Sequence, residues 1–160
     1  MKPKLYLETS IISYLTAKPS RNIIVAGHQA VTHHWWDYYR QECDLYVSQA
    51  VLDEASAGDT EQARLRLQGI EGIDMLVITD EVYEFANQLL QKGPLPEKAR
   101  ADAVHIACTI INGMDYLLTW NCRHIANAHF FDKINSLCAI MGYESVIICT
   151  PDELAEIDDG

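Results

Sequence analysis

The chain has 160 residues, 49% hydrophobic and 22% charged, with 12 Lys+Arg against 23 Asp+Glu and a formal net charge of −11. Those figures belong to an ordinary globular protein, exclude wholesale disorder, and argue against a broad basic surface for duplex nucleic acid. The length suits a single domain, expected over residues 1–150, and no apolar run approaches the ~18 residues of a membrane span.

From the N-terminus, Leu5–Leu7 is a short apolar strand that runs straight into Glu8, Thr9 and Ser10. A strand exit is where a sheet places a site carboxylate; the competing role for Glu8 is to cap a turn or the short helix around Ile11–Leu15. No signal-peptide core fits before Glu8, so a soluble, cytoplasmic chain is expected. Asn22 to Glu42 reads as a long helix. Its adjacent Trp35 and Trp36 cannot share one face, so one is expected to pack inward and the other to lie nearer the surface. Leu45–Val47 is the second strand, and Ser48 is placed to cap a helix through Val51, Leu52 and Ala55 towards Gly58. On that helix Asp53 and Glu54 point about 100° apart, so at most one faces inward easily; Asp53 is the better candidate for solvent and Glu54 for the site, a choice the spacing alone does not make.

Asp59 or Thr60 opens a helix that reaches Gly69, and Met75–Ile78 is the third strand. Thr79 with Asp80 and Glu81 starts the helix Val82–Lys92, closed by Gly93. After the breaker Gly93-Pro94-Leu95-Pro96 comes a helix that ends near Asn112-Gly113 and is apolar nearly all round from Ala103 to Ile111. Asp102, at the start of this buried helix, needs a partner charge, a metal or hydrogen bonds. The competing roles for Asp102 are to cap its own helix or to pair with Arg100. His105 falls on the same side of the helix and reads as a hydrogen-bonded packing group. Tyr116–Thr119 is the fourth strand and ends at Trp120-Asn121, where Asn121 supplies a carbonyl oxygen, holds a water, or serves the turn. A helix over Ala128–Met141 is stopped by Gly142, and Val146–Cys149 is the fifth strand. Residues 151–160, with Asp152, Glu153, Glu156, Asp158 and Asp159 and no base, read as a solvated acidic tail.

Strands alternating with helices imply a three-layer α/β/α domain with a central parallel sheet of four to five strands, each apolar enough to be covered on both faces. In such sheets ligands sit beyond the carboxyl ends of the strands, near a topological switch point. The five cysteines lie singly, with no C-x-x-C pair, which argues against a zinc ribbon and a disulfide framework; they are expected to be small core hydrophobes. Glu8, Glu54 and Asp102 are expected to converge at one end of the sheet with Asn121 beside them. Carboxylates crowded in one pocket repel, and a divalent cation removes that penalty. All-oxygen ligation selects Mg²⁺ or Mn²⁺, and such a site suits phosphodiester hydrolysis. A phosphatase-type alternative lacks an Asp-x-Asp nucleophile motif and a Gly-rich phosphate loop.

Four segments, in order, carry a resemblance: Tyr6-Leu7-Glu8-Thr9-Ser10, Val51-Leu52-Asp53-Glu54, Arg100-Ala101-Asp102-Ala103-Val104-His105-Ile106-Ala107 and Leu118-Thr119-Trp120-Asn121-Cys122-Arg123-His124. With them the chain resembles the PIN-domain superfamily, most closely the VapC-type toxins, over approximately residues 4–150. The resemblance implies a PIN-like fold, metal-dependent cleavage of RNA, a homodimer, and a small antitoxin whose tail occupies the acidic groove. It places Glu54 and Asp102 at the acidic metal positions and Thr9 or Ser10 at the hydroxyl near the substrate phosphate. Two departures stand out. The family usually has Asp where this chain has Glu8, whose longer arm can still ligate but moves the ion or adjusts the backbone. It often has a fourth acid where this chain has Asn121, which removes one negative charge and weakens the case for a second metal. The expected metal set is therefore Glu8, Glu54 and Asp102, with Asn121 accessory. Lys18 and Arg21 after the first segment, and Arg123 and His124 in the last, are the local bases for phosphate, or else ordinary surface charges. The alternative function is a non-catalytic PIN-fold module that binds RNA or a protein through a degenerate site.

Overall fold

The computed structural model describes residues 1–155. Five strands, β1 (Lys4–Leu7), β2 (Asp44–Ser48), β3 (Asp74–Leu76), β4 (Tyr116–Leu118) and β5 (Ile147–Cys149), form one sheet in the order β3-β2-β1-β4-β5. Every pairing is parallel, with Leu5 opposite both Leu45 and Tyr116 in the centre. The helices are α1 (Thr9–Thr16), α2 (Ile23–Tyr38), α3 (Gln49–Ala55), α4 (Thr60–Gly69), α5 (Asp80–Gln91), α6 (Arg100–Ile111), α7 (Ala128–Met141) and α8 (Pro151–Leu154). The arrangement is the three-layer α/β/α fold that the alternating pattern implies, and it agrees with the PIN-like fold that the resemblance implies.

The order of the strands decides where a site can be. The chain begins in the middle of the sheet at β1, builds β2 and β3 to one side, then crosses back to lay β4 and β5 on the other. β1 and β4 are thus the switch point, and the crevice opens at their carboxyl ends. There the backbone N–H of Glu8 donates to the carbonyl of Leu118 at 3.0 Å, and that of Thr119 to the carbonyl of Cys149, also at 3.0 Å.

Leu5, Tyr6 and Leu7 are fully buried between the helical layers, together with Ile11, Ile12, Phe85, Leu89, Ile106 and Ile125. Each such side chain stabilises the fold by roughly 1.5–3 kcal/mol relative to an exposed one. Thr79 accepts from the Val82 N–H as the expected cap, and two caps not foreseen join it: Asn22 accepts from the N–H groups of Ile24 and Val25, and Asn127 from His129. Gly142 ends α7 at φ +81°, a conformation that glycine adopts without steric cost. Trp35 is buried and Trp36 half-buried, with the Arg40 guanidinium 4.4 Å above its ring.

Several expectations are corrected. The helix expected from Asn22 to Glu42 ends at Tyr38, and a separate 3-10 turn covers Arg40–Glu42. β3 stops at Leu76 and is an edge strand, so it is not covered on both faces: Met75 is 44% and Val77 66% exposed. Ser48 holds the position before α3 but makes no side-chain cap; its hydroxyl turns to the phenol of Tyr6 at 2.8 Å. Cys108, Cys138 and Cys149 are buried free thiols, whereas Cys122 is exposed and is no core residue. Burial pushes the Cys108 thiol up to about 11 and that of Cys149 to about 12, so both stay protonated at neutral pH. Of the expected acidic tail, Pro151–Leu154 forms α8, which packs on α2, and residues 156–160 lie outside the described residues.

Candidate active site

At the exit of β1, Glu8 caps α1 and also faces the crevice. It is the N-cap of α1, accepting the Ser10 N–H at 3.1 Å, and its side chain is 6% exposed in the crevice. Its Oε1 accepts the hydroxyls of Ser10 and Thr119, each at 2.5 Å. Those hydroxyls in turn accept the backbone N–H of Trp120 at 2.8 Å and of Asn121 at 2.9 Å. The carboxyl ends of β1 and β4 are thereby stitched together through one carboxylate.

Glu54 projects from α3 to the other side of this carboxylate, while its neighbour Asp53 turns outward and accepts from Gln49 at 2.8 Å. Glu54 Oε1 accepts the Thr9 hydroxyl at 2.8 Å and pairs with Nε2 of His105. His105 is 1% exposed, and its Nδ1 lies 2.7 Å from the Tyr6 phenol, which continues to Ser48. Burial opposes both charges, but each partner outweighs it for the other. The imidazole and the Thr9 hydroxyl hold the Glu54 carboxyl below its ordinary value, and Glu54, with Glu8 and Asp102 farther off, raises His105 above its own. An imidazolium donates from both ring nitrogens, so the chain of donors runs from His105 to Glu54 on one side and through Tyr6 to Ser48 on the other.

Asp102 sits in the first turn of α6. The pairing with Arg100 does not form: Arg100 is held by Glu97 and Asn87, and no side chain caps α6. Instead Asp102 Oδ1 accepts the Asn121 amide at 3.0 Å and Oδ2 lies 3.0 Å from Nδ1 of His124. The backbone N–H of His124 donates to Asn121 Oδ1 at 3.1 Å and closes the group.

Two clusters therefore share the crevice. Donor atoms of Glu8, Glu54 and His105 all lie within 4.8 Å of one another, and Asp102 stands outside that group with Asn121 and His124. Ligands about 2.1 Å from one ion can be up to ~4.2 Å apart, so a shared cation would draw the side chains of this group, which lie within 4.8 Å of one another, slightly closer together. Thr9 and Ser10 support the two carboxylates directly. Lys18, Arg21 and Arg123 are exposed, and none makes an ion pair among the described residues. The loop bearing Lys18 and Arg21 is pinned by the buried Gln29, which accepts the Ser20 N–H at 3.0 Å and donates to the Lys18 carbonyl at 3.1 Å. A cleft of about 620 Å³ between β3, α3 and α6 reaches the site, lined by Asp53, Glu54, Val77, Tyr83 and His105.

Sequence reasoning placed Glu8, Glu54, Asp102 and Asn121 around one sheet end. It did not find the hydrogen bonds of Tyr6 and Thr119, which read as strand residues, or that of Ser48, which read as a helix cap; His105 is the hydrogen-bonded, buried group expected, and its partners Glu54 and Tyr6 were not foreseen. The signal for His105 was its spacing from Asp102, which puts both on the inward side of α6.

No protein-family profile matches the sequence, and no curated protein sequence matches it. Solved structures do match. VapBC2 from Rickettsia felis, solved bound to a DNA fragment from their promoter, aligns with a TM-score of 0.58 and 17% identity over 91% of this chain and 97% of that one. VapC20 from Mycobacterium tuberculosis, a sarcin–ricin loop cleaving toxin, aligns with a TM-score of 0.59 and 14% identity over 75% of this chain and 92% of that one. Among the described residues no helix is long and apolar enough to cross a membrane. The chain has the PIN-domain, VapC-type fold.

Proposed function

We propose that the chain is a metal-dependent endoribonuclease that hydrolyses RNA phosphodiester bonds, acting in the cytoplasm as the toxin of a type II toxin–antitoxin pair. The observation that carries the reading is the approach of Glu8, Glu54 and His105 to within 4.8 Å at the switch point of a fold shared with VapC toxins. Glu8 and Glu54 hold the ion, Mg²⁺ or Mn²⁺, with Asp102 turned to the same crevice. When bound, the ion supplies phosphate polarisation and a water of lowered pKa. His105 orients Glu54, and Thr9 and Ser10 keep the two carboxylates aimed. Asn121 and His124 hold Asp102 in place, while Lys18, Arg21 and Arg123 contact the RNA backbone. A small antitoxin and a second copy of the chain are the protein partners in this reading.

One observation favours a second reading, a PIN-fold module that binds RNA or a protein without cutting it. Both oxygens of Asp102 are engaged, one by an amide that stands where relatives of this type often carry an acid. Incubation of the purified, partner-free protein with RNA and Mn²⁺ decides between them. Cleavage by the wild type that Glu54→Gln abolishes is expected. A folded wild type that binds RNA and cuts none, at any protein concentration, gives the lead to the second reading.

A further inference from the structure

Three aromatic rings meet at the rim of the crevice, where α1, α2 and the segment after β4 come together. The Trp120 indole is stacked on the His28 imidazole, with centroids 4.0 Å apart and planes 11° apart. The Tyr14 phenol stands edge-on to Trp120 at 6.3 Å and tilted to His28 at 6.1 Å. The indole is held at two points: its backbone N–H donates to Ser10 Oγ at 2.8 Å, and Nε1–H donates to the buried Thr32 hydroxyl at 2.7 Å. Ser10 is also a donor to Glu8, and Asn121, next in the chain, is a donor to Asp102. The rings are therefore tied to both carboxylate clusters, yet all three keep part of their surface in solvent.

Trp120 packs in part against the core, and the rest of the cluster's surface faces solvent at the mouth of the crevice. Beside the cluster lies the loop with Lys18 and Arg21, pinned by Gln29, the residue next to His28 on α2. In a chain of net charge −11 these exposed cations, free of ion pairs among the described residues, are a local exception. Rings flanked by cations are the surface that takes unpaired nucleotides, the base stacking on the ring and the phosphates meeting the charges. Paired bases hide their faces in the duplex and cannot use it.

We propose that Tyr14, His28 and Trp120 form a stacking platform for one unpaired nucleobase of a single-stranded RNA lying across the carboxylate crevice. The proposal rests on the ribonuclease reading for its substrate class and names the feature of the RNA that is recognised.

Fluorescence anisotropy of a fluorescein-labelled single-stranded RNA, titrated with full-length protein in EDTA so that nothing is cut, tests it. The duplex of the same sequence is the comparison. His28→Ala is expected to weaken single-strand binding roughly tenfold, as loss of one stacked base does. His28→Phe, which keeps a ring, is expected to restore it, and the duplex to bind more weakly than the single strand. Should His28→Ala not fold, Tyr14→Ala against Tyr14→Phe gives the same comparison. The platform is overturned by a wild type that binds no single-stranded RNA or binds the duplex as tightly, by His28→Ala binding as the wild type does, or by His28→Phe as weak as His28→Ala. Cleavage in Mn²⁺, run in parallel, separates the two readings. Wild-type cutting with a His28→Ala variant that binds normally overturns the platform alone, and RNA binding through His28 without any cutting supports the platform and overturns the nuclease.

Discussion

The side chain of Asn121 donates to Oδ1 of Asp102 at 3.0 Å while its own Oδ1 accepts the His124 N–H at 3.1 Å. An aspartate at this position keeps the second bond and loses the first, setting two carboxylates face to face. Asn121→Asp is therefore expected to destabilise the metal-free protein by roughly 1–3 kcal/mol, the cost of a lost partner plus like-charge repulsion. Mn²⁺ is expected to reverse the loss by neutralising the pair. Thermal melts in EDTA and in Mn²⁺ check this; equal melting temperatures for both proteins in EDTA would sink it.

The two clusters should answer differently to removal of a charge. Glu54 belongs to the tight group with Glu8 and His105, and Asp102 does not. In calorimetric titration with Mn²⁺ the wild type is expected to saturate and Glu54→Gln to show no binding. Asp102→Asn is expected to bind more weakly, by roughly tenfold or about 1.4 kcal/mol, and to cut no RNA while remaining folded. Wild-type cleavage by folded Asp102→Asn would remove Asp102 from the machinery.

How much of this was legible in the sequence depended on range. The exits of β1 and β4 could be read because an apolar run ends abruptly in polar residues, and Asp102 because an acid opens a helix with no polar face. The end of β3 could not: Val77 and Ile78 extend an apolar run, yet β3 lies at the sheet edge with only β2 beside it, and the Val77 carbonyl accepts from Asn112 instead. Tyr6 was hidden for the same reason in reverse, a polar tip inside a buried strand whose partners, Ser48 and His105, are 42 and 99 residues away. Local pattern carries the placement of acids at strand ends, but not which side chain each will meet across the crevice.

The local bases give a prediction in salt. Lys18, Arg21 and Arg123 are exposed and without ion pairs among the described residues, so each is available to one phosphate. Neutralising one phosphate contact on a single strand lowers the slope of log K against log salt by about 0.7. Lys18→Ala and Arg21→Ala together are expected to reduce that slope by roughly 1.4 in RNA-binding titrations, with the melting temperature unchanged. An unchanged slope would return both residues to the status of surface charges.

The Glu54–His105 pair predicts a stability window in pH. Glu54 is held below its ordinary 4.5, so its contribution is complete above 4.5 and is lost as the pH falls through the lowered value. His105 is held above its ordinary 6.5, so its contribution is complete below 6.5 and is lost as the pH rises through the raised value. Both are fully present only between 4.5 and 6.5. In metal-free urea unfolding, the stability lost in Glu54→Gln is expected to be greatest in that interval and to shrink on either side. Because the pair is partly open to solvent on the Glu54 side, with 39% of that side chain exposed, the loss is expected at the lower end of the range for a buried hydrogen-bonded pair. A difference between the two proteins that stays constant from pH 4.5 into the alkaline range would show that the imidazole is neutral in the fold, and the charge relation between α3 and α6 would have to be redrawn.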